Sequence, residues 1–247
     1  MKTQNNTMLV TGGSAGIGFA IAKLFNEKGN KVIITGRDAS RLEQAAAQLP
    51  GVTPLISDVT SEADVDKLVE TLRTQFPALN VLVNNAGYAA YYQLAGGGEN
   101  WPEAQAEMHT NYLSLVRLTE KLLPLLQQQP AAAVVNVSSI VAYAPGLRLP
   151  TYSASKAAVH AYTRVLRLAL QDTPVKVFEL MPPLVNTSFS AAIGGENGIP
   201  PETVAQELLA HMERDEYSIH VGDTANIYAL LRESPDKALL ALNGIPA

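Results

Sequence analysis

At 247 residues the chain is long enough for one large α/β domain or two small ones, either with a sizeable core. Hydrophobic residues at 47% against 17% charged exclude a disordered chain, and a net charge of −5 disfavours nonspecific attraction to nucleic acid or anionic lipid. Cysteine is absent, which excludes disulfides, thiol nucleophiles and zinc–thiolate sites.

Met1–Met8 is polar, and the apolar run Met8–Val10 stops at Thr11-Gly12-Gly13, so no signal-peptide core is expected. No apolar stretch approaches the roughly 20 residues that span a bilayer, so the expectation is a cytoplasmic protein with no membrane partner. Strands are expected at Met8–Val10, Lys31–Thr35, Thr53–Ser57, Val81–Val83, Ala133–Val137, Val175–Leu180 and Ser218–Val221. Helices are expected near Ile17–Lys28, Ser40–Gln48, Glu62–Gln75, Trp101–Gln127, Tyr152–Gln171 and Glu202–Arg214. The early strands are continuous apolar runs, the pattern of strands buried on both faces. Alternation with helices implies right-handed βαβ units in one doubly wound α/β domain spanning residues 1–247. Ser188–Pro201, rich in Gly and Pro, reads as a substrate lid, and residues 222–247 as a C-terminal extension.

Thr11-Gly12-Gly13-Ser14-Ala15-Gly16-Ile17-Gly18 joins the first strand to the first helix. Glycine allows a tight turn and close backbone approach to a pyrophosphate, and the helix N-terminus offers free N–H groups to it. The second strand ends Ile34-Thr35-Gly36-Arg37. Gly36 stands where an NAD site usually has an acid, and the Arg37 guanidinium suits the 2′-phosphate of NADP. Further along, Tyr152 and Lys156 lie one helical turn apart on a shared face. An ammonium beside a phenol favours the phenolate, so Lys156 is expected to lower the Tyr152 pKa toward working pH. The four histidines, His109, His160, His211 and His220, have no metal-ligand spacing, so no metal is expected.

Together these motifs resemble the short-chain dehydrogenase/reductase family, in its branch of about 250 residues with Tyr-x-x-x-Lys. The resemblance rests on Thr11–Gly18, Asp58-Val59, Asn84-Asn85-Ala86-Gly87, Asn111, Asn136-Val137-Ser138-Ser139 and Tyr152-x-x-x-Lys156, and runs from Met8 to about Val221. Glu179-Leu180-Met181-Pro182-Pro183 looks closest to a subgroup that includes the oxidoreductase encoded with lipoteichoic-acid D-alanylation genes. The resemblance implies a Rossmann-like, mostly seven-stranded parallel sheet with helices on both faces. It implies a catalytic set of Asn111, Ser139, Tyr152 and Lys156, with Ser138 the competing serine. Ser139 precedes Tyr152 by thirteen residues, the spacing most often seen in the family. It also implies a local distortion of the Asn111 helix.

By the same resemblance NADP(H) is contacted by Gly12, Ser14, Gly16, Ile17, Gly18, Arg37, Asp58, Val59, Asn85, Ala86, Gly87, Tyr152, Lys156, Pro182, Val185 and Thr187. Pro183 departs from the family's Pro-Gly and puts Val185 and Thr187 in question. Tyr88, Tyr91, Tyr92, Tyr143, Pro145, Leu147, Leu149, Phe189 and Ile193 are expected to line a pocket for a hydrophobic ketone or aldehyde. The activity implied is carbonyl reduction or its reverse, in a homodimer or homotetramer. The rival readings are a noncatalytic NADP-binding regulator and a nucleotide-sugar epimerase, for which only about 25 residues follow the last strand.

Overall fold

The computed structural model describes residues 1–246. Seven strands make one parallel sheet in the order β3-β2-β1-β4-β5-β6-β7. They are β1 Thr7–Thr11, β2 Lys31–Gly36, β3 Thr53–Ile56, β4 Leu79–Asn84, β5 Ala132–Val137, β6 Val175–Met181 and β7 Ser218–His220. The connecting helices are α1 Gly16–Glu27, α2 Ala39–Ala47, α3 Glu62–Gln75, α4 Trp101–Glu107, α5 Ser114–Gln127, α6 Pro150–Ala169 and α7 Pro201–Arg214.

Each central strand is apolar throughout because it feeds two cores. Met8 and Val10 pack with Phe25, Leu42 and Leu208 on one face, while Leu9 packs with Leu72, Leu118 and Leu166 on the other. Alternate residues of a strand point to opposite faces, so both sets must be hydrophobic. Successive strands run outward from β1 in one direction and from β4 in the other. The crevice beyond the C-terminal ends of β1 and β4 is therefore a topological switch point, where doubly wound sheets bind ligands.

Two features of the elements bear on the site. The expected helix Trp101–Gln127 is interrupted at Met108–Leu113 by a π turn that carries Asn111, where the resemblance implies a distortion. A π turn widens the helix by one residue per turn and redirects the side chains on it. The C-terminal extension is helical, with α8 at Thr224–Glu233 and α9 at Pro235–Leu242. Ile227 and Ala238 from these helices join Ile140, Val141 and Tyr152 in a third apolar cluster, at the substrate end of the sheet. Among the described residues no helix is long and apolar enough to cross a membrane.

Candidate active site

The glycine turn works through space as well as backbone angle. Gly12 has φ +65°, in the left-handed region that glycine adopts without penalty. A Cβ on Gly18 would stand 2.4 Å from both Asn85 Nδ2 and Gly12 O, so any side chain there would wedge the turn open. Asn85 fastens the loop after β4 to the turn after β1: its Nδ2 donates to Thr11 O at 2.8 Å and Gly12 O at 3.2 Å. The backbone N–H groups of Asn85 and Ala86 both donate to Thr11 Oγ1, at 2.9 and 3.0 Å. Ala15 gives α1 no side-chain cap, so its first N–H groups stay available to an anion.

A cleft of about 950 Å³ starts at this turn. Gly12, Ser14, Gly16, Ile17, Arg37, Asn85, Ala86 and Gly87 line one end, with Arg41 beside Arg37. Ser139, Tyr152, Lys156, Pro182, Val185 and Thr187 line it as well, Thr187 close against Gly16. Asp58 and Val59 are not in this wall. Asp58 Oδ1 accepts from the N–H and hydroxyl of Thr60, and Val59 borders a separate small void against Ala86 and Leu118. Burial works to raise the Asp58 pKa, but the Thr60 hydrogen bonds and the Arg37 charge outweigh it and hold the carboxyl low. The residues present fit a dinucleotide: a turn too tight for side chains, an uncapped helix start and two guanidiniums share one cleft.

Pro150 opens α6 at a position where its missing N–H costs no helical bond. Tyr152 and Lys156 follow on the face turned to the sheet, both buried. Ser139 stands two residues beyond β5, caps the short turn after it by accepting from Val141 N at 3.3 Å, and lines the cleft with Tyr152. Ser138 turns the other way, donating to Glu179 Oε1 at 2.6 Å. Asn111 spends its amide on pinning. Oδ1 accepts from Tyr88 N at 2.8 Å, and Nδ2 donates to Tyr88 O at 2.9 Å and Ser155 Oγ at 2.8 Å.

The electrostatics correct one expectation. Burial pushes the Tyr152 phenol above its ordinary pKa, Tyr91 and Glu107 push it the same way, and the Ser139 hydrogen bond opposes them. Lys156 does not lower it here: its Nζ donates to Val137 O at 2.8 Å and stands 5.5 Å from the centre of the Tyr152 ring. Burial brings the Lys156 pKa down to about 8, with the Glu179 charge pulling it back up. At neutral pH the site therefore holds a protonated phenol and an ammonium, the forms that a proton donor requires.

The expected substrate wall is only partly assembled. Tyr88, Tyr91, Leu149, Phe189 and Ile193 line the cleft, together with Leu242 and Asp223, which sequence reasoning missed. Tyr92 instead meets Thr151 Oγ1 at 2.6 Å, and Leu147 points to solvent. Tyr143 packs behind the site against His160, His220 and Tyr228, and Pro145 accepts from Asn243 Nδ2 at 3.0 Å. Residues 188–201 are not plain loop. They form two short 3₁₀ turns and a bridge between Val185 and Ile199, fastened by Tyr91 OH to Phe189 O at 2.6 Å and by Arg148 to Ala192 O at 3.3 Å. The Phe189 ring lies 6.0 Å from that of Tyr152, so this segment covers the phenol. Glu107 was also missed; it is fully buried, accepting from Ala90 N at 2.8 Å and from the Thr151 hydroxyl. No group of three His, Asp or Glu side chains able to hold a metal occurs among the described residues.

Residues 6–198 match the family model described as short chain dehydrogenase. The chain is 40% identical over 207 residues to the "uncharacterized oxidoreductase DltE" of Bacillus subtilis, covering 84% of this chain and 82% of that one. A short-chain dehydrogenase from Burkholderia cenocepacia, solved in complex with NADP, superposes over both whole chains with TM-score 0.86 and 25% identity. A Burkholderia phymatum relative, solved with NAD, has TM-score 0.88 at 20% identity, covering 100% of this chain and 99% of that one, a likeness of fold alone.

Proposed function

The chain belongs to the short-chain dehydrogenase/reductase family, in its DltE-like subgroup, and on that premise we propose that it is an NADPH-dependent reductase of hydrophobic ketones or aldehydes. A nicotinamide cofactor follows from the family and the cleft; the preference for NADPH rests on Arg37. The observation that carries the reading is the buried Tyr152 phenol, which lines with Ser139 and Lys156 the same cleft as the glycine turn. The glycine turn, Ser14 and Arg37 would hold the phosphates, and Lys156, Val185 and Thr187 the nicotinamide end. When bound there, NADPH would supply the hydride for the carbonyl carbon. Ser139 donates a hydrogen bond to the carbonyl oxygen, where negative charge develops. Tyr152 OH donates the proton to that oxygen. Asn111 keeps Tyr88 and α6 in register, so the substrate wall and the phenol stay aligned. Residues 188–201 act as the lid that excludes water.

The direct test follows reduced-nicotinamide absorbance with aromatic and aliphatic ketones and aldehydes, comparing NADPH with NADH. Turnover with NADPH, faster on apolar than on sugar or keto-acid carbonyls, is the expected result. NADPH binding without turnover on any carbonyl would instead favour the noncatalytic regulator. Exposed Leu113, at the end of the π turn, and Val165 and Leu168 of α6 support assembly as a homodimer or homotetramer, which light scattering would measure.

A further inference from the structure

Behind the site lies a carboxylate that the mechanism above does not use. Glu179 sits in the middle of β6, paired in register with Asn136 of β5 and Ser218 of β7, and is fully buried. Its Oε1 accepts from Ser138 Oγ at 2.6 Å, and both oxygens face His160 Nδ1, at 3.0 and 2.9 Å. An ionised carboxylate only accepts, so His160 Nδ1 carries a hydrogen. His160 follows Lys156 by one helical turn and Tyr152 by two, so the three share a face of α6. The carboxylate thus grips the residue next to Ser139 and the helix face that carries Tyr152 and Lys156.

We propose that Glu179, held by His160, is a positioning residue for catalysis: it fixes Ser138, and so the direction of the Ser139 hydroxyl, and presents a buried negative charge to Lys156. The inference rests on the reductase reading for the roles of Ser139 and Lys156. A buried carboxylate with no catalytic use is costly, because desolvation must be met by hydrogen bonds or charge. An apolar residue at this position would complete the strand more simply, since its neighbours on the same face, Val177 and Met181, are buried and apolar. The return on the carboxylate is electrostatic. Burial favours the neutral amine at Lys156, whereas a stable proton donor site needs the ammonium, and Glu179 opposes that loss.

The charges around the pair are few. Glu179 is felt by Lys156 and Arg167 of α6, by Tyr143 after β5 and by His220 of β7. Arg167 Nε is committed to Val177 O at 2.8 Å, and Tyr143 OH meets His220 Nε2 at 2.9 Å. Tyr228 of α8 stacks on His220 with ring centres 4.3 Å apart and closes this side. On the side of the cleft, Lys156 faces Tyr152 and, through Val137 O, the end of β5.

Glu179→Gln keeps an acceptor for Ser138 and removes the charge. Competitive acetylation of Lys156 across pH, read by peptide mass spectrometry on the folded protein, should show its midpoint fall by about one pH unit in E179Q. The alkaline limb of kcat should move acidward with it. Ser138→Ala tests the positioning half. It should lower kcat about tenfold with KM and NADPH affinity unchanged, and less than Ser139→Ala does. An unchanged labelling midpoint in E179Q, wild-type kcat in S138A, or a larger loss in S138A than in S139A overturns the proposal. Should E179Q not fold, as thermal melting would show, the two serine variants decide. A wild-type protein that reduces no carbonyl counts against the reductase reading, and the acetylation midpoint then still decides whether Glu179 faces Lys156 as proposed.

Discussion

The two ends of the cleft are built by different means. At the nucleotide end the work is done by backbone: the turn after β1 closes on the loop after β4, with no room for a Cβ at Gly18, and the first N–H groups of α1 are left open. At the catalytic end it is done by buried side chains, with Asn111 held by Tyr88 and Ser155, and Lys156 by Val137. Backbone recognition tolerates many nucleotides and makes binding robust. Side-chain chemistry depends on each proton and each hydrogen bond being in place. Binding and turnover should therefore come apart under mutation.

The largest effect expected is at Tyr152. Tyr152→Phe keeps the ring against Phe189 and removes only the proton donor, so kcat should fall about 10³-fold, within the range that general acid catalysis contributes. NADPH affinity, measured by fluorescence titration, should stay within about twofold, because the nucleotide end is untouched. Loss of binding along with turnover would break the division between the ends.

Arg37→Asp attacks the other end. A carboxylate there repels a 2′-phosphate and accepts from ribose hydroxyls, so the NADPH-to-NADH ratio of kcat/KM should fall about 100-fold, the worth of a charge-assisted pair. With NADH at saturation, kcat should be unaltered. An unchanged ratio would shift the selection to Arg41 or Ser14, which line the same wall.

The same contrast decides what was legible in the sequence. The nucleotide end is written in one contiguous stretch, Thr11–Gly18, because backbone turns are local. The parallel sheet was legible for a related reason: strands such as Lys31–Gly36 must be apolar on both faces, and a run of Val and Ile says so. At the catalytic end only Tyr152 and Lys156 are close enough along the chain to be read as a pair. Ser138, His160 and Glu179 meet across separations of 19 to 41 residues, and nothing local joins them. The signal that existed was a single acid in the apolar run of β6. The tyrosine's electrostatics were misread because spacing brings Lys156 near without saying where its ammonium points. Burial, which raises the phenol's pKa, is a property of the whole fold. The helical extension after Val221 escaped because its amphipathic turns are short, whereas the distortion at Asn111 was legible only through the family resemblance, since a π turn differs from an α-helix by one inserted residue.

The smallest effect expected concerns the substrate wall, where sequence order and spatial order part. Phe189 and Leu147 are both apolar, both close in sequence to motifs, and both partly or largely exposed, at 43% and 62%. Only Phe189 lines the cleft, its ring over Tyr152. Phe189→Ala should raise KM for an aromatic ketone about tenfold, the loss of about 1.4 kcal/mol of apolar contact, with little change in KM for a small aliphatic one. Leu147→Ala should leave both within about twofold, since a side chain in water loses little when truncated. Equal effects from the two substitutions would mean that the loop before Tyr152 folds over the bound ketone. The substrate end would then be shaped by the ligand, while the nucleotide end, closed by glycine and asparagine, is shaped in advance.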